Sequence, residues 1–521
     1  MLLIIIITIT IILIISLSVV GIWFKRNFNF WTLYPQVPSV KGRILSGKLK
    51  DFITFKTSFG YHLRTLYEDE NYKNEAAVGI YGLYQPSLLI REPELIKSVF
   101  IKEFDSFSSR PCRSDVRHDP LGALNLVFAK YPYWREMRLK LSPIFSGAKL
   151  RFMYPLIQKV GQNLNDYMSQ QGNCFKLELK QLFGRYITDT ISTSILGTTS
   201  NALQNANDIM YLERRKFTHF NLRRALEFLI LFFAPKLNRL LRPRVFYKST
   251  ENFMRPFIKS MLKEREQMGT KRNDLIDVFV KIKQDAEAKG KNISHCLDGL
   301  TAQACVLIGG AFDASTNTIA NALLELSKNQ EVQKKLREEI LQAFRKDKGE
   351  ICYETLNKME YLQMVIDETL RLYPVLPVLE RLYELPINKT SEFTLQPFYD
   401  YKLRNQMPVY VSIFGLHYDP KYWPHPTKFD PERFSPSNKK QLTPMTYMPF
   451  GVGPHMCIGS RLGMLKVKIG LSYFLKNHYV RTCKETVVKP EFDPKAIVLK
   501  LKGDLFVEVV RDNLFDGKVN K

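Results

Sequence analysis

The chain has 521 residues, 45% of them hydrophobic and 24% charged. These are ordinary globular proportions, which exclude a small binding module, a polytopic transporter, a collagen and a disordered scaffold. Lys and Arg number 76 against 51 Asp and Glu, a formal charge of +25, so the partners to consider are anionic membrane, acidic protein or nucleic acid. The basic residues are spread along the whole chain with no zinc finger, aromatic RNA-binding signature or basic arm, so nucleic acid is not expected. The seven cysteines, Cys112, Cys174, Cys296, Cys305, Cys352, Cys457 and Cys483, contain no CxxC pair. That argues against a zinc cage or disulfide framework and for free thiols in a cytosol-facing chain.

Taken in chain order, Leu2 to Phe24 carries no charge and is mostly Ile, Leu, Val and Thr, about the 20 residues a membrane-spanning helix needs. Lys25 and Arg26 follow and favour a cytosolic carboxyl side. No basic segment precedes the run and no small-x-small site follows it, so a cleaved signal peptide is disfavoured. The expected organisation is an anchor over 1–24, a hinge over 25–45 and one catalytic-sized body over 46–521. The sequons at Asn292 and Asn388 would carry glycan only if that body were lumenal.

Apolar residues at i, i+3 and i+4 predict helices over 51–67, 131–141, 157–168, 188–196, 300–326, 329–344 and 356–372. Strand-like runs at 77–90, 407–414 and 487–510 predict one small sheet joining early and late chain. The fold class is therefore mainly α with small β-sheets. Residues 214–244 mix Arg pairs with the run Phe228 to Phe233, a composition that suits either a membrane surface or a buried helix edged with cations.

Phe450-Gly-Val-Gly-Pro-His-Met-Cys457-Ile-Gly459 sets one Cys before an apolar helical run at 462–475. A thiol at a helix start among glycines is expected to have a lowered pKa and to suit a metal. A single thiolate with an aromatic seven positions earlier points to axial ligation of a macrocycle. The spacing matches FxxGxxxCxG, by which the sequence resembles the cytochrome P450 family. The resemblance extends over nearly the whole chain, through Glu368-Thr-Leu-Arg371, Pro431-Glu-Arg433-Phe434, and Trp134 with Arg138 in a WxxxR helix. Local runs at 91–97 and 140–143 look like insect microsomal members.

The resemblance implies a single helix-rich domain around haem b, with Cys457 as axial ligand and Phe450 beside it. It further implies Trp134, Arg138, Arg381 and His455 on the haem propionates, and a structural network of Glu368, Arg371 and Arg433. Guanidinium groups suit carboxylates through paired hydrogen bonds, and His455 stands where the family more often has Arg. In the oxygen-activating helix, Asp313 is kept as the acid, Ala311 replaces a Gly, and Ala314 replaces the Thr whose hydroxyl helps deliver protons; Ser315 or water is the expected substitute.

The implied activity is monooxygenation of a lipophilic substrate at the endoplasmic reticulum membrane, with electrons from NADPH–cytochrome P450 reductase, cytochrome b5 as a further partner, and hormones or insecticides as substrate classes. Arg135, Arg138, Lys140, Lys466 and Lys468 are the expected basic docking residues. Ala314 leaves two alternatives open: a reductase-independent isomerase or dehydratase of hydroperoxides, and a non-catalytic haem protein that binds lipophilic ligands. Substrate contacts are expected in 112–128, 205–241, 307–313, 375–379 and 496–499.

Overall fold

The computed structural model describes residues 1–40, 48–218, 221–386 and 392–512. Asn388, part of the expected hinge and part of the 205–241 substrate region lie outside the described residues. The molecule is built on one helix, Ile293–Lys328, of 36 residues. Asn292 starts it by accepting a hydrogen bond from the His295 N–H at 3.1 Å, satisfying one of the free amides of the first turn. The helix is apolar or small on nearly every side, so neighbours surround it: Leu179–Ile191, Lys248–Met268, Leu275–Ala288 and Ser460–Leu475 all pack against it.

The predicted helices are present, with two divided. The 51–67 helix breaks into Lys48–Ile53 and Phe59–Tyr67, because Phe55 turns to φ 53° and Ser58 caps the second segment. The 356–372 helix breaks at Met359. There the Glu339 carboxylate from a neighbouring helix accepts from the N–H groups of Tyr361 and Leu362 at 2.9 and 2.8 Å, a cap that local sequence does not carry.

The single expected sheet is two sheets. Strands β1 (Ala77–Gly82), β2 (Gln85–Ile90), β4 (Val378–Leu382) and β5 (Pro408–Ser412) form the first in the order β1-β2-β5-β4, while β3 (Cys174–Glu178), β6 (His478–Arg481) and β7 (Phe506–Arg511) form the second in the order β3-β7-β6. Early and late chain do join, through the parallel pairing of β2 with β5. Of the 487–510 run only the end is strand; its earlier part holds the isolated bridge Phe492–Leu501.

The amino-terminal run forms the helix Leu2–Phe28, and part of its side chains lie outside those described. Among the described residues, no helix is long and apolar enough to cross a membrane. The helix continues past Lys25 and Arg26 and docks: Phe28 packs on Tyr81 at 5.3 Å between ring centroids, Phe24 lies 6.3 Å from Tyr84, and the Tyr81 hydroxyl donates to the Phe28 carbonyl at 2.7 Å. The segment that follows lies along β1. Trp31 Nε1 donates to the Ile80 carbonyl at 3.0 Å, and Gly79 exchanges backbone bonds with Pro38 and Val40 at 2.8 and 2.9 Å. A side chain at Gly79 would put its Cβ 2.5 Å from the Trp31 ring, so only glycine lets the indole lie flat there.

What holds the cysteine loop in place is a buried polar chain. Glu368 and Arg371 have no exposed surface and pair through two bonds of 2.7 and 2.8 Å. The Asp430 N–H donates to Glu368 at 2.9 Å, and Arg433 approaches the same carboxylate at 3.5 Å. Arg371 then donates to the His417 carbonyl at 2.7 Å. The His417 ring spans 3.2 Å from Nδ1 to the Arg371 carbonyl, and its Nε2 accepts from the Met448 N–H at 3.1 Å. The latter bond assigns the proton to Nδ1. His417, which sequence reading passed over, is thus the link between the ion pair and the loop beginning at Met448.

Burial, with Arg371 nearby, pushes the His417 pKa down from 6.5 to about 3. The folded state therefore refuses a proton that the unfolded chain accepts, so this histidine's contribution is complete above pH 6.5 and is lost as pH falls toward 3. Lowering the pH from 7 to 5 should cost the wild type about 2 kcal/mol more than His417→Gln, read as the difference between their denaturant unfolding curves. By the same measurement Gly79→Ala should lose about 1–3 kcal/mol through overpacking against Trp31; Gly147→Ala, whose new Cβ meets nothing within 4 Å, should show no such loss.

Candidate functional site

From Met448 the chain folds back on itself. The Gly451 N–H donates to the Met448 carbonyl at 3.0 Å, and the Cys457 N–H to the Phe450 carbonyl at 2.9 Å, closing the ten-residue loop. Gly453 sits at φ +70°, where a Cβ would be 2.1 Å from the Phe100 carbonyl oxygen. The loop therefore seats directly on backbone, which no other residue permits. Cys457 is exposed by surface area yet closely surrounded by protein, so its free surface faces inward.

The expectation of a lowered thiol pKa is reversed. Burial is the largest effect and raises it, against the Gly459 N–H, Arg138 and Lys466. The cysteine also lies three residues before its helix, Ser460–Leu475, rather than in the first turn where aligned amides act most strongly.

Beside the thiol, two arginines, a histidine and a tryptophan converge. Arg138 reaches from its helix, Tyr133–Leu141, to the Met456 carbonyl at 2.8 Å. Trp134, one turn earlier, lies 3.9 Å from the His455 ring. Arg381 on β4 is 3% exposed, donates to the Glu380 carbonyl at 2.6 Å and lies over the Phe100 ring, and among the described residues its Nε is buried without a hydrogen-bond partner. His455 Nε2 contacts the Ser108 carbonyl at 2.8 Å, and Nδ1 is a second buried atom without a partner.

Arg110, absent from the sequence-based set, is felt by Arg138, Arg381 and His455 alike. Burial, then Arg110, pushes Arg381 down to about 9, while burial, then Arg110 and Arg381, pushes His455 down to about 2. Buried positive charge of this density requires a counter-anion. Glu380 is the nearby acid, and burial pushes its own carboxyl up. The pocket thus fits a group that brings carboxylates and accepts a sulfur ligand, as iron protoporphyrin does.

The long helix supplies the facing wall. It is buried over most of its length, but Val306, Leu307, Gly309, Gly310, Ala311, Asp313 and Ala314 keep exposure, and among them Leu307, Gly310, Ala311 and Ala314, three and four residues apart, lie on one stripe. Ala314 is on this stripe. Ser315, one step of about 100° further round, is 4% exposed, so its hydroxyl belongs to another face. Asp313 has its carboxyl pushed up to about 6 by burial, against the charges of Lys500 and Lys180. Its own carbonyl accepts from Asn317 at 2.9 Å and that of Ala314 from Thr318 at 2.7 Å, so the polar residues below the stripe are engaged within the helix.

One other expectation needs correction. Lys466 and Lys468 are 1% and 5% exposed, so they are interior cations and not part of a docking face. Burial, then Arg214, pushes Lys466 down to about 7. Arg135 is exposed, while Lys140 pairs with Glu136 at 2.7 Å. In the 214–244 stretch the aromatic run turns inward: Leu231 and Phe233 are buried, and Arg214 and Arg224 are 2% and 3% exposed. The large apolar residues that face outward are Leu222, Leu226, Leu237, Leu240 and Leu241. Two of the regions expected to contact substrate meet directly, the Leu499 N–H donating to the Val375 carbonyl at 2.9 Å.

Comparison with known proteins agrees with this geometry. Residues 58–507 match the sequence profile of the family described as Cytochrome P450. Probable cytochrome P450 6w1 of Drosophila melanogaster is 40% identical over 497 residues, covering 95% of this chain and 96% of its own. Probable cytochrome P450 6g2 of the same fly is 38% identical over 512 residues, 95% of this chain and 98% of its own. Cytochrome P450 6k1 of Blattella germanica is 35% identical over 442 residues, 81% and 82% of the two chains. The chain belongs to the cytochrome P450 family and is an oxidoreductase of the haem-thiolate monooxygenase class.

Proposed function

We propose that this enzyme oxidises lipophilic substrates, hormones or xenobiotics such as insecticides, with electrons passed from NADPH by a flavoprotein reductase, and that Cys457 is the ligand of its haem. The observation that carries the site assignment is the convergence of an inward-facing thiol with Arg110, Arg138, Arg381 and His455, a cationic cradle that lacks an equal number of carboxylates. Haem, when bound, supplies the redox iron at which dioxygen is activated. Its propionates would be the counter-anions that the cradle requires, with Arg110, Arg138 and Arg381 as the cations that would hold them.

The remaining work belongs to side chains. The Gly459 N–H, Arg138 and Lys466 favour the thiolate over the thiol, offsetting part of the burial cost once a metal displaces the proton. The apolar stripe of Leu307, Ala311 and Ala314 excludes bulk water and orients an apolar substrate. Asp313, its carboxyl pushed up to about 6, takes up a proton just below neutral pH and passes it toward that stripe through water beside Ala314, since Ser315 faces away. Arg135 and Arg138 present positive charge on the side of the cysteine loop, the sign that an acidic reductase face requires. The helix Leu2–Phe28 is the membrane anchor, with the body held at the cytosolic face of the endoplasmic reticulum; the positive residues Lys25 and Arg26 support that orientation.

Full-length enzyme reduced under carbon monoxide should give the thiolate-shifted absorption band both with dithionite and with NADPH plus reductase, and Cys457→Ser should abolish it. A band under dithionite alone, with turnover of lipid hydroperoxides lacking NADPH, would instead support the hydroperoxide rearrangement that Ala314 permits. Because Asp313 must be protonated to donate, product formed per NADPH should fall as pH rises through about 6. Asp313→Asn should remove that inflection and lower product formation about 100-fold, while Ala314→Thr should raise the yield per NADPH.

A further inference from the structure

A cleft of about 600 Å³ opens between the last turn of the amino-terminal helix, β2, the end of β4 and the loop at 235–239. It is remote from the apolar stripe in character, being lined by five basic side chains, Arg113, Lys130, Lys236, Arg239 and Arg404, and one acidic side chain, Asp115. The acids within reach engage two of the five: Asp115 lies 3.9 Å from Arg239, and Glu384 lies 3.4 Å from Arg113. Among the described residues, no hydrogen bond or ion pair engages the charged ends of Lys130, Lys236 or Arg404. Lys130 feels its neighbours, burial and then Arg113 lowering its pKa.

A second observation comes from Asn238, which lines the same cleft and is 5% exposed. Its Nδ2 is committed to the Arg113 carbonyl at 2.7 Å, which fixes the amide orientation, and its Oδ1 is buried without a partner. Three cations without a counter-anion among the described residues ask for a ligand that carries phosphate oxygens.

We propose that this cleft binds the headgroup of an anionic phospholipid. The commitment to lipid rather than free phosphate comes from the rim. Leu237, Leu240 and Leu241 beside Lys236 and Arg239 are 42%, 76% and 51% exposed, a place for acyl chains next to a place for the headgroup. Free phosphate has no use for those leucines. Asn27 on the opposite lip belongs to the helix read above as the membrane anchor, and the proposal rests on that reading for which surface the cleft faces.

The test titrates full-length protein in a neutral detergent with short-chain phosphatidylserine, short-chain phosphatidylcholine or inorganic phosphate, followed by calorimetry. Phosphatidylserine should bind at least tenfold more tightly than either of the others. Lys130→Glu and Lys236→Glu should each lose at least tenfold, whereas Lys334→Glu, on an exposed helix position elsewhere, should bind as the wild type does. Equal binding of inorganic phosphate would assign the cleft to a free anion and overturn the lipid. Equal binding of phosphatidylcholine, or unchanged affinity in both cleft variants, would overturn the site. Failure of the anchor reading shows separately, as extraction of the full-length protein from membranes by alkaline carbonate, a step absent from the titration.

Discussion

The position of the cysteine loop depends on one ion pair with no exposed surface. Glu368 and Arg371 sit one turn apart on the same helix, so the pair itself is local; its reach comes from what the guanidinium does with its other nitrogens. It takes the His417 carbonyl, and the His417 ring in turn takes the Met448 amide at the start of the loop. Every member of that series is buried, and His417 accepts from both Arg371 and Met448 while its Nδ1 donates to the Arg371 carbonyl, so each bond helps to fix the next. Removing one partner strands a charge or an amide in the interior, and such losses are much larger than the net worth of the bonds. The ion pair therefore acts less as a source of stability than as a way of specifying where a ten-residue loop must lie.

The architecture around the loop follows from a conflict between charge and burial. Arg138, Arg381 and His455 are held in protein surroundings that disfavour their charged forms, and Cys457 is held in surroundings that disfavour its thiolate. Neither half is well satisfied by the protein alone. A dianionic macrocycle with a metal at its centre resolves both, so the binding free energy of the cofactor is also folding free energy for this half of the molecule.

Much of this was legible in the sequence, and the reasons differ from element to element. The long helix and the cysteine loop were readable because their signals are local: a sustained apolar period in one case, a fixed spacing of Phe, Gly and Cys in the other. Glu368, Arg371 and Arg433 were readable as a set, and they do meet. Arg110 and His417 were not, since each lies in an irregular segment and takes its meaning from partners up to hundreds of residues away. The second sheet was missed for a similar reason, because β3 pairs with β7 across the length of the chain and only half of its side chains needed to be apolar. Lys466 and Lys468 misled because lysine is almost always exposed; the helix carrying them is enclosed on all sides, and a long aliphatic stem makes that burial tolerable.

The aromatic contacts of Phe24, Phe28 and Trp31 change what the amino-terminal helix is mechanically. A flexible tether would let the body tumble while its tether stayed put. Here the end of the helix and the segment after it pack against the β1–β2 hairpin and are bonded to it at Tyr81 and Ile80, so the helix acts as a lever joined to the first sheet. Any tilt or rotation imposed on the helix is delivered, through β2 and β5, to the strand that carries Arg381.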